Sequence, residues 1–240
     1  MSPSGGLEKR ISSAAALDRP GRLAYSNTMN KTRIEALSDG VFAIVMTILI
    51  IDFKVPNLSA QTVTNAEMLD KMWALWPILR SYFISFIVLG MYWMAHHAYF
   101  HMFTKHVDRV VAYLNIVFLM SIAFIPFSAH LIGQYPQNEV ATASYGLNII
   151  CSGMTLYIML WFIVRNRHMM HDDVSPKLIA QATIRALLPP AFAVLGIIAG
   201  FAHLLSLSFF LFAFPIIFNI IPGSLDALER VPGALLRRGK

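Results

Sequence analysis

The sequence predicts an all-α membrane protein with six transmembrane helices per subunit. Of its 240 residues, 57% are hydrophobic and only 13% are charged, whereas a soluble domain carries roughly 25% charged residues. The mean hydropathy is +0.60, and uncharged runs long enough to cross a membrane recur along the chain. This composition excludes a soluble enzyme and a disordered protein. A secreted domain held by disulfides is also excluded, because Cys151 has no second cysteine with which to pair.

Six apolar segments set the predicted helices and the domain organisation. In chain order the segments are 33–53, 72–103, 107–131, 140–164, 178–203 and 204–221. Only a short stretch separates the last two segments, but together they span about 40 residues, which is more than a single membrane crossing can hold. We therefore expect a polar tail over 1–32, a six-helix transmembrane domain over 33–222 and a basic tail over 223–240. The first tail lacks the apolar core of a signal peptide, so no cleavage is expected.

The distribution of lysine and arginine predicts the orientation of these helices. Fifteen of the 19 basic residues lie in the two tails and in the connections between predicted helices 2–3 and 4–5. Lys54 and Lys71 lie on the other side, whereas Arg80 and Arg185 lie within apolar segments. Because cytoplasmic loops are enriched in lysine and arginine, both termini are expected in the cytoplasm. The net charge of +6 is thereby assigned to loops rather than to a nucleic-acid partner.

The first predicted helix combines a polar start with an aliphatic stripe. At 100° per residue, one face collects three isoleucines and one hydroxyl: Ile44, Thr47, Ile48 and Ile51. Asp39 lies on the opposite face, where an intramembrane carboxylate costs several kcal/mol unless it is paired or faces water. Two interpretations stay open from the residues alone. Ser38 and Asp39 start the helix, where its dipole favours a carboxylate, or Asp39 pairs with a basic group such as Arg33.

The next two predicted helices supply polar partners. Trp93 and His97 are four residues apart and share one helix face. A lone Asn115 in the third helix is typical of interhelical hydrogen bonding. His96, His97 and His101 suggest a metal cluster, but no carboxylate or thiol completes a zinc set at a known spacing. We therefore predict no metal site and no cofactor.

These motifs resemble the transmembrane protein 175 family, which comprises the lysosomal and endosomal potassium channel and its bacterial and archaeal relatives. The first-helix signature is carried by Arg33-x-x-x-Leu37-Ser38-Asp39, Ala43, Thr47 and Asp52-Phe53-Lys54-Val55-Pro56. Trp93-x-x-x-His97 and Asn115 also match, whereas Leu37 stands where the family usually has phenylalanine. The resemblance covers 33–221, a single six-helix repeat like that of the prokaryotic members.

The resemblance implies a homotetramer in a prokaryotic plasma membrane, surrounded by lipid, with the first helix of each subunit lining a central pore. It implies a cation channel that favours potassium, with K⁺ as the permeant species. By position, the hydrophobic constrictions are Ile44, Ile48 and Ile51, and Thr47 coordinates the ion. The network that holds the pore helix in place is Arg33, Ser38, Asp39, Trp93, His97 and Asn115.

Four further points complete the functional hypothesis. Asp52, at the outer mouth, would concentrate cations. The chain has no Thr-Val-Gly-Tyr-Gly filter, so its selectivity should be modest. An alternative is a proton-coupled secondary transporter in which Asp39 and His97 relay protons, with Arg33 beside them. An enzyme is not expected, because the chain lacks His-Glu-x-x-His, Gly-x-Ser-x-Gly and P-loop motifs.

Overall fold

The computed structural model describes residues 28–51, 53–54 and 64–220. Within this part of the chain, eight α-helices dominate: α1 (Lys31–Ile51), α2 (Asn65–Ala74), α3 (Trp76–Ala98), α4 (Arg109–Ala123), α5 (Ile125–Gln134), α6 (Glu139–Arg165), α7 (Pro176–Phe201) and α8 (Leu205–Ile220). A π-helical turn, Tyr99–Phe103, prolongs α3, and a 3₁₀ turn, Arg167–Met169, follows α6. The two short strands are β1 (Thr28–Met29) and β2 (Val107–Asp108).

Five segments of the described chain are long and apolar enough to cross a membrane. They are Lys31–Ile51, Trp76–Phe103, Arg109–Gln134, Glu139–Arg165 and Pro176–Phe201. Each corresponds to one of the first five predicted spans. The last predicted span forms α8, whose 16 residues fall short of the roughly 20 needed for a full crossing. The structure therefore supports an all-α membrane protein, while a sixth crossing stays a prediction.

Local sequence sets where these helices begin. Asp108, Asn138 and Ser175 each accept a hydrogen bond from a backbone N–H in the first turn that follows, as N-cap residues do. Prolines lie in the first turns of α3, α5 and α7, where their missing N–H removes no helical hydrogen bond. Pro126 thus marks the break at which the third span divides into α4 and α5.

One end of the bundle gathers the connections that carry basic residues. β1 pairs antiparallel with β2, with Thr28 opposite Asp108. Lys31 Nζ donates to Thr104 O over 3.0 Å, and Lys105 N donates to Met169 O over 2.7 Å. The entry to α1 and the α3–α4 and α6–α7 connections therefore lie at the same end. This agrees with the predicted sidedness, while the assignment of that end to the cytoplasm stays a prediction.

The helices share one continuous hydrophobic core, within which two groups of helix contacts differ in character. In the first, α1 packs against α3, α4 and α5. In the second, α6, α7 and α8 approach closely at small residues. A Cβ placed on Gly153 of α6 would fall within 2.6 Å of two ring atoms of Pro190 in α7, and one placed on Gly196 of α7 would fall within 2.6 Å of the Phe212 ring in α8. Small residues at such contacts let membrane helices approach closely.

We expect Gly153→Ala to destabilise the protein, because the Pro190 ring cannot move without shifting α7. Overpacking of this kind costs about 1–3 kcal/mol, so the unfolding temperature in detergent should fall. Gly90→Ala is the matched control, because a Cβ there meets only Met46 Cε at an ordinary 3.6 Å. Equal unfolding temperatures for the two variants would contradict the close α6–α7 packing.

An exposed ion pair joins two connections at the basic end. Lys105 Nζ donates to Asp172 Oδ2, and this hydrogen bond and the Lys105 charge lower the pKa of Asp172. A folded-state pKa below the unfolded value means that the pair stabilises the fold above the unfolded pKa. That contribution is lost as the pH falls through the lowered pKa.

We therefore expect Lys105→Met to lower the unfolding temperature slightly at neutral pH and to have no effect once Asp172 is protonated. Lys105→Arg, which keeps the charge, should follow the parent protein at every pH. The measurement is the unfolding temperature of the three proteins across an acid titration. A Met variant that differs from the parent equally at all pH values would show that the ion pair is not the cause.

Candidate functional site

Helix α1 has one buried face and one face that is open within the subunit. Its buried side chains are Ile34, Ser38, Phe42, Val45 and Leu49. The opposite side presents three isoleucines to the surface of the subunit: Ile44 is 60% exposed, Ile48 40% and Ile51 71%. Exposed aliphatic side chains in a row on one helix indicate a surface that faces lipid, another subunit or a pore.

Thr47 lies on the same open face as the isoleucines. Its hydroxyl donates to Ile44 O at 2.7 Å and also lies 3.1 Å from Ala43 O. Because the hydroxyl proton is used within the helix, the oxygen lone pairs are left to accept from, or coordinate, a group outside it. The predicted stripe of Ile44, Thr47, Ile48 and Ile51 is therefore a continuous surface of the folded subunit.

A buried polar cluster lies behind this stripe and joins three helices. Its members are Ser38 of α1, His96 of α3 and Asn115 of α4, all of which are buried. His96 Nε2 lies 2.7 Å from Asn115 Oδ1, and Asn115 Nδ2 donates to Ser38 Oγ over 3.1 Å. Since Asn115 Oδ1 can only accept, the proton of His96 in this arrangement is on Nε2.

Aromatic rings enclose the His96 imidazole and fix its plane. The ring stacks on Phe118 at a centroid distance of 5.5 Å and an interplanar angle of 5°. Phe100 lies 4.6 Å away and Phe42 lies 6.3 Å away. Two of these rings belong to helices other than α3. Packing and hydrogen bonding therefore act together to hold His96 against α1 and α4.

A second polar contact fastens α1 to α3 beside this cluster. Trp93 Nε1 donates to Asp39 Oδ1 over 2.8 Å. His97 stacks on the Trp93 indole at 5.9 Å with an interplanar angle of 22°. Asp39 is thus held by a neutral donor from another helix. The pairing arises on the face of α1 that lies away from Ile44, as the helical wheel predicted.

In the structure, residues of the predicted network form two adjacent contacts. Asn115 donates a hydrogen bond to Ser38, and Trp93 donates one to Asp39. His97 reaches the set through the Trp93 ring, whereas Arg33 is exposed in the first turn of α1. Asp52, predicted at the outer mouth, lies outside the described residues.

Sequence reasoning missed His96, which is the histidine that reaches Asn115. The spacing argument selected His97 because it follows Trp93 by four residues. A second signal was available, since Tyr92, His96 and Phe100 recur at the same interval and all three are buried. Two aromatic neighbours on one helix face indicate the core-facing side more directly than one does. Within the described residues, no group of three or more histidine, cysteine or acidic side chains is placed to hold a metal ion.

Comparison with known proteins gives this arrangement a family. The family model described as "Endosomal/lysosomal potassium channel TMEM175" matches residues 33–126. A potassium channel of Streptomyces collinus is 32% identical over 162 residues, which cover 65% of this chain and 76% of that protein. A potassium channel of Chryseobacterium sp. is 33% identical over 181 residues, covering 73% and 85% respectively. The chain belongs to the TMEM175 family.

A solved structure agrees with this membership. The crystal structure of a lysosomal potassium-selective channel TMEM175 homolog from Chamaesiphon minutus superposes with a TM-score of 0.66 at 25% identity. The match covers 80% of this chain and 98% of that one. The family is described as an ion channel family, which confirms the prediction that the chain is not an enzyme. The matched region begins at Arg33, the first residue of the signature on α1.

Removing the amide of Asn115 should destabilise the subunit, because His96 and Ser38 would each lose a buried partner. We expect Asn115→Ala to lower the free energy of unfolding by about 1–3 kcal/mol, the usual result of leaving a buried polar group unsatisfied. Ser121→Ala in the same helix is the control, since its hydroxyl donates to Phe118 O of the preceding turn. Denaturant unfolding in detergent measures both variants, and equal losses would show that the cluster has no special role.

Proposed function

We propose that the protein is a passive cation channel that favours potassium and that α1 lines its pore. The observation that carries the proposal is the open face of α1, where Ile44, Ile48 and Ile51 lie in a row and are 40–71% exposed within their own subunit. Membership of a family described as potassium channels supports the same function. The matched Streptomyces and Chryseobacterium relatives are named potassium channels.

One α1 helix cannot enclose a conduction path, so the proposal requires several copies of the chain. We propose a homotetramer with four α1 helices around the axis, residues 33–222 forming the channel domain. Rings of four isoleucines at Ile44, Ile48 and Ile51 would then form hydrophobic constrictions that exclude water in the closed state. A small rotation or outward shift of α1 would widen them together, because all three lie on one rigid helix.

Thr47 supplies the polar group within this apolar path. Four Thr47 hydroxyl oxygens facing the axis would replace part of the hydration shell of a K⁺ ion. The oxygen is suited to this role because its proton is already donated to Ile44 O. Potassium itself is the only small species that the proposal requires.

The proposed orientation follows from charge. The end of the bundle where β1, Lys105 and Asp172 lie is the one flanked by lysine and arginine, and we assign it to the cytoplasm. Both termini would lie there, in the plasma membrane of a prokaryote. Asp52, which follows α1 at the opposite end, would then lie at the outer mouth, where its charge attracts cations.

The contacts around Asp39 favour a structural role over proton transport. Its Oδ1 accepts a hydrogen bond from the Trp93 indole. An indole N–H can donate a hydrogen bond but cannot accept one. His97 contacts the Trp93 ring rather than leading onward from Asp39. Ser38, Asp39, Trp93 and Asn115 therefore hold α1 in position, and no contact among residues 28–51, 53–54 and 64–220 favours a proton-coupled carrier.

The experiment is a potassium flux assay in liposomes that contain the purified protein under an imposed ion gradient. Ile44→Asn should raise the flux or reduce the preference for potassium over sodium, because an amide stabilises water at the constriction. A barrier lowered by about 1.4 kcal/mol would increase the flux about tenfold. Ile50→Asn is the matched control, since Ile50 is also exposed on α1 but lies off the stripe.

The ion and proton gradients separate the competing outcomes. Flux that follows the potassium gradient alone, and that changes in Ile44→Asn but not in Ile50→Asn, supports the proposed pore. Identical flux in the parent and both variants would place the conduction path elsewhere. Flux that requires a proton gradient in the parent protein would replace the channel by a carrier.

A further inference from the structure

A cavity lies between α3 and α7, away from the open face of α1. It has a volume of about 240 Å³ and is lined by three methionines, Met91, Met94 and Met102, together with Gln181, Arg185 and Asn219. All the α3 and α7 residues that line it lie within candidate membrane spans. No residue of α1 belongs to this lining, so the cavity is separate from the proposed pore.

Arg185 places an unsatisfied donor in this cavity. Its Nε is buried and has no hydrogen-bond partner among the described residues. Two of the nearby polar groups donate to backbone oxygens: Tyr99 Oη to Ala182 O over 3.1 Å, and Asn219 Nδ2 to Pro215 O over 3.0 Å. The described lining contains no carboxylate. A buried donor without an acceptor is costly, and no carboxylate in this lining balances the Arg185 charge, so the site suits an anion supplied from outside these helices.

Arg185 lies in the half of α7 that is nearer the basic end. Arg185 lies nine residues after Pro176, the start of α7 at the basic end, which corresponds to about 14 Å along the helix. Side chains of a helix lean toward its N-terminus, and a long arginine extends several ångströms in that direction. Helix geometry therefore favours a guanidinium that extends toward the basic end, within reach of the boundary between headgroups and acyl chains.

The cavity also connects toward that end. A neighbouring cavity of about 260 Å³ shares Met102 and Leu178 with it and is further lined by His101, His171 and Asp173. The two cavities adjoin at these shared residues, and we treat them together as one groove. Its outer part is polar, and its inner part is apolar apart from Tyr99, Gln181, Arg185 and Asn219. A groove that is polar at its outer end and mainly apolar at its inner end matches an amphiphile, which has a polar headgroup and an apolar tail.

We propose that this groove binds a membrane glycerophospholipid, with the phosphodiester on Arg185 and an acyl chain against Met91, Met94 and Met102. A guanidinium offers paired donors that match phosphate oxygens. Methionine side chains are flexible and adapt to apolar ligands of varied shape. The polar headgroup would lie in the outer part of the groove, beside His101, His171 and Asp173.

The bound lipid would support the helix that positions α1. The groove is formed by the same helix, α3, whose Trp93 and His96 contact Asp39 and Ser38 on α1. An occupant wedged between α3 and α7 therefore stabilises the folded subunit. This predicts a rise in unfolding temperature when the lipid is supplied, whether or not the protein conducts ions.

The test is thermal unfolding of the full chain in a neutral detergent with three added probes. Dioctanoyl-phosphatidylglycerol carries both the phosphodiester and the acyl chains, dioctanoylglycerol lacks the phosphate, and inorganic phosphate lacks the chains. We expect a saturable rise in unfolding temperature with the first probe alone. Arg185→Gln should raise the half-saturating lipid fraction about tenfold, as expected when a charge-assisted hydrogen bond is lost.

Two further variants keep the result decisive. Arg185→Lys retains a positive charge and should keep most of the response. Arg80→Gln is the matched control, because Arg80 also lies within α3 with a buried Nε but stacks on Phe209, and its response should equal that of the parent. An equal response to dioctanoylglycerol or to inorganic phosphate would overturn the lipid assignment. So would a parent protein that shows no response, or an unchanged response in Arg185→Gln.

Discussion

In the hydrocarbon interior of a membrane, a polar side chain has to find its hydrogen-bond partner within the protein, since no water is available. The contact among Ser38, His96 and Asn115 meets this requirement across three helices. Because these hydrogen bonds form only when Ser38 faces His96 and Asn115, the contact fixes the rotation of α1 about its own axis. The buried face of α1 is thereby decided, and the open face that carries Ile44 follows from it.

The two groups of helices are held together by different means. Around α1, hydrogen bonds and aromatic stacking specify the contact, with Trp93 on Asp39 and Phe118 on His96. Between α6 and α7, close approach at Gly153 and Pro190 specifies it instead. Polar contacts give direction and register, whereas contacts between small residues give proximity. The first arrangement suits a helix whose orientation has to be exact, as the proposed pore requires of α1, and the second suits a supporting scaffold.

Much of this fold can be predicted from the sequence because a membrane imposes simple rules. The need for about 20 apolar residues locates five spans within a few positions of their observed ends, and the 100° step between residues places Ile44, Thr47, Ile48 and Ile51 on one face. The choice between His96 and His97 depends on which face of α3 meets α4. The repeat of Tyr92, His96 and Phe100 indicates that face, whereas the spacing of Trp93 and His97 does not. The sequence does not reveal how short α8 is, because an apolar run does not show where a helix ends.

The open face of α1 also bears on how such a protein changes over evolutionary time. Ile44, Ile48 and Ile51 contribute little to the core of their own subunit, since all three are substantially exposed within it. Substitutions there are expected to disturb the folding of the single chain less than substitutions at Ser38 or Asn115, which are buried. New side chains can therefore be accepted on that face without compensating changes elsewhere in the subunit. Properties that depend on this face can change faster in evolution than the helices that pack behind it.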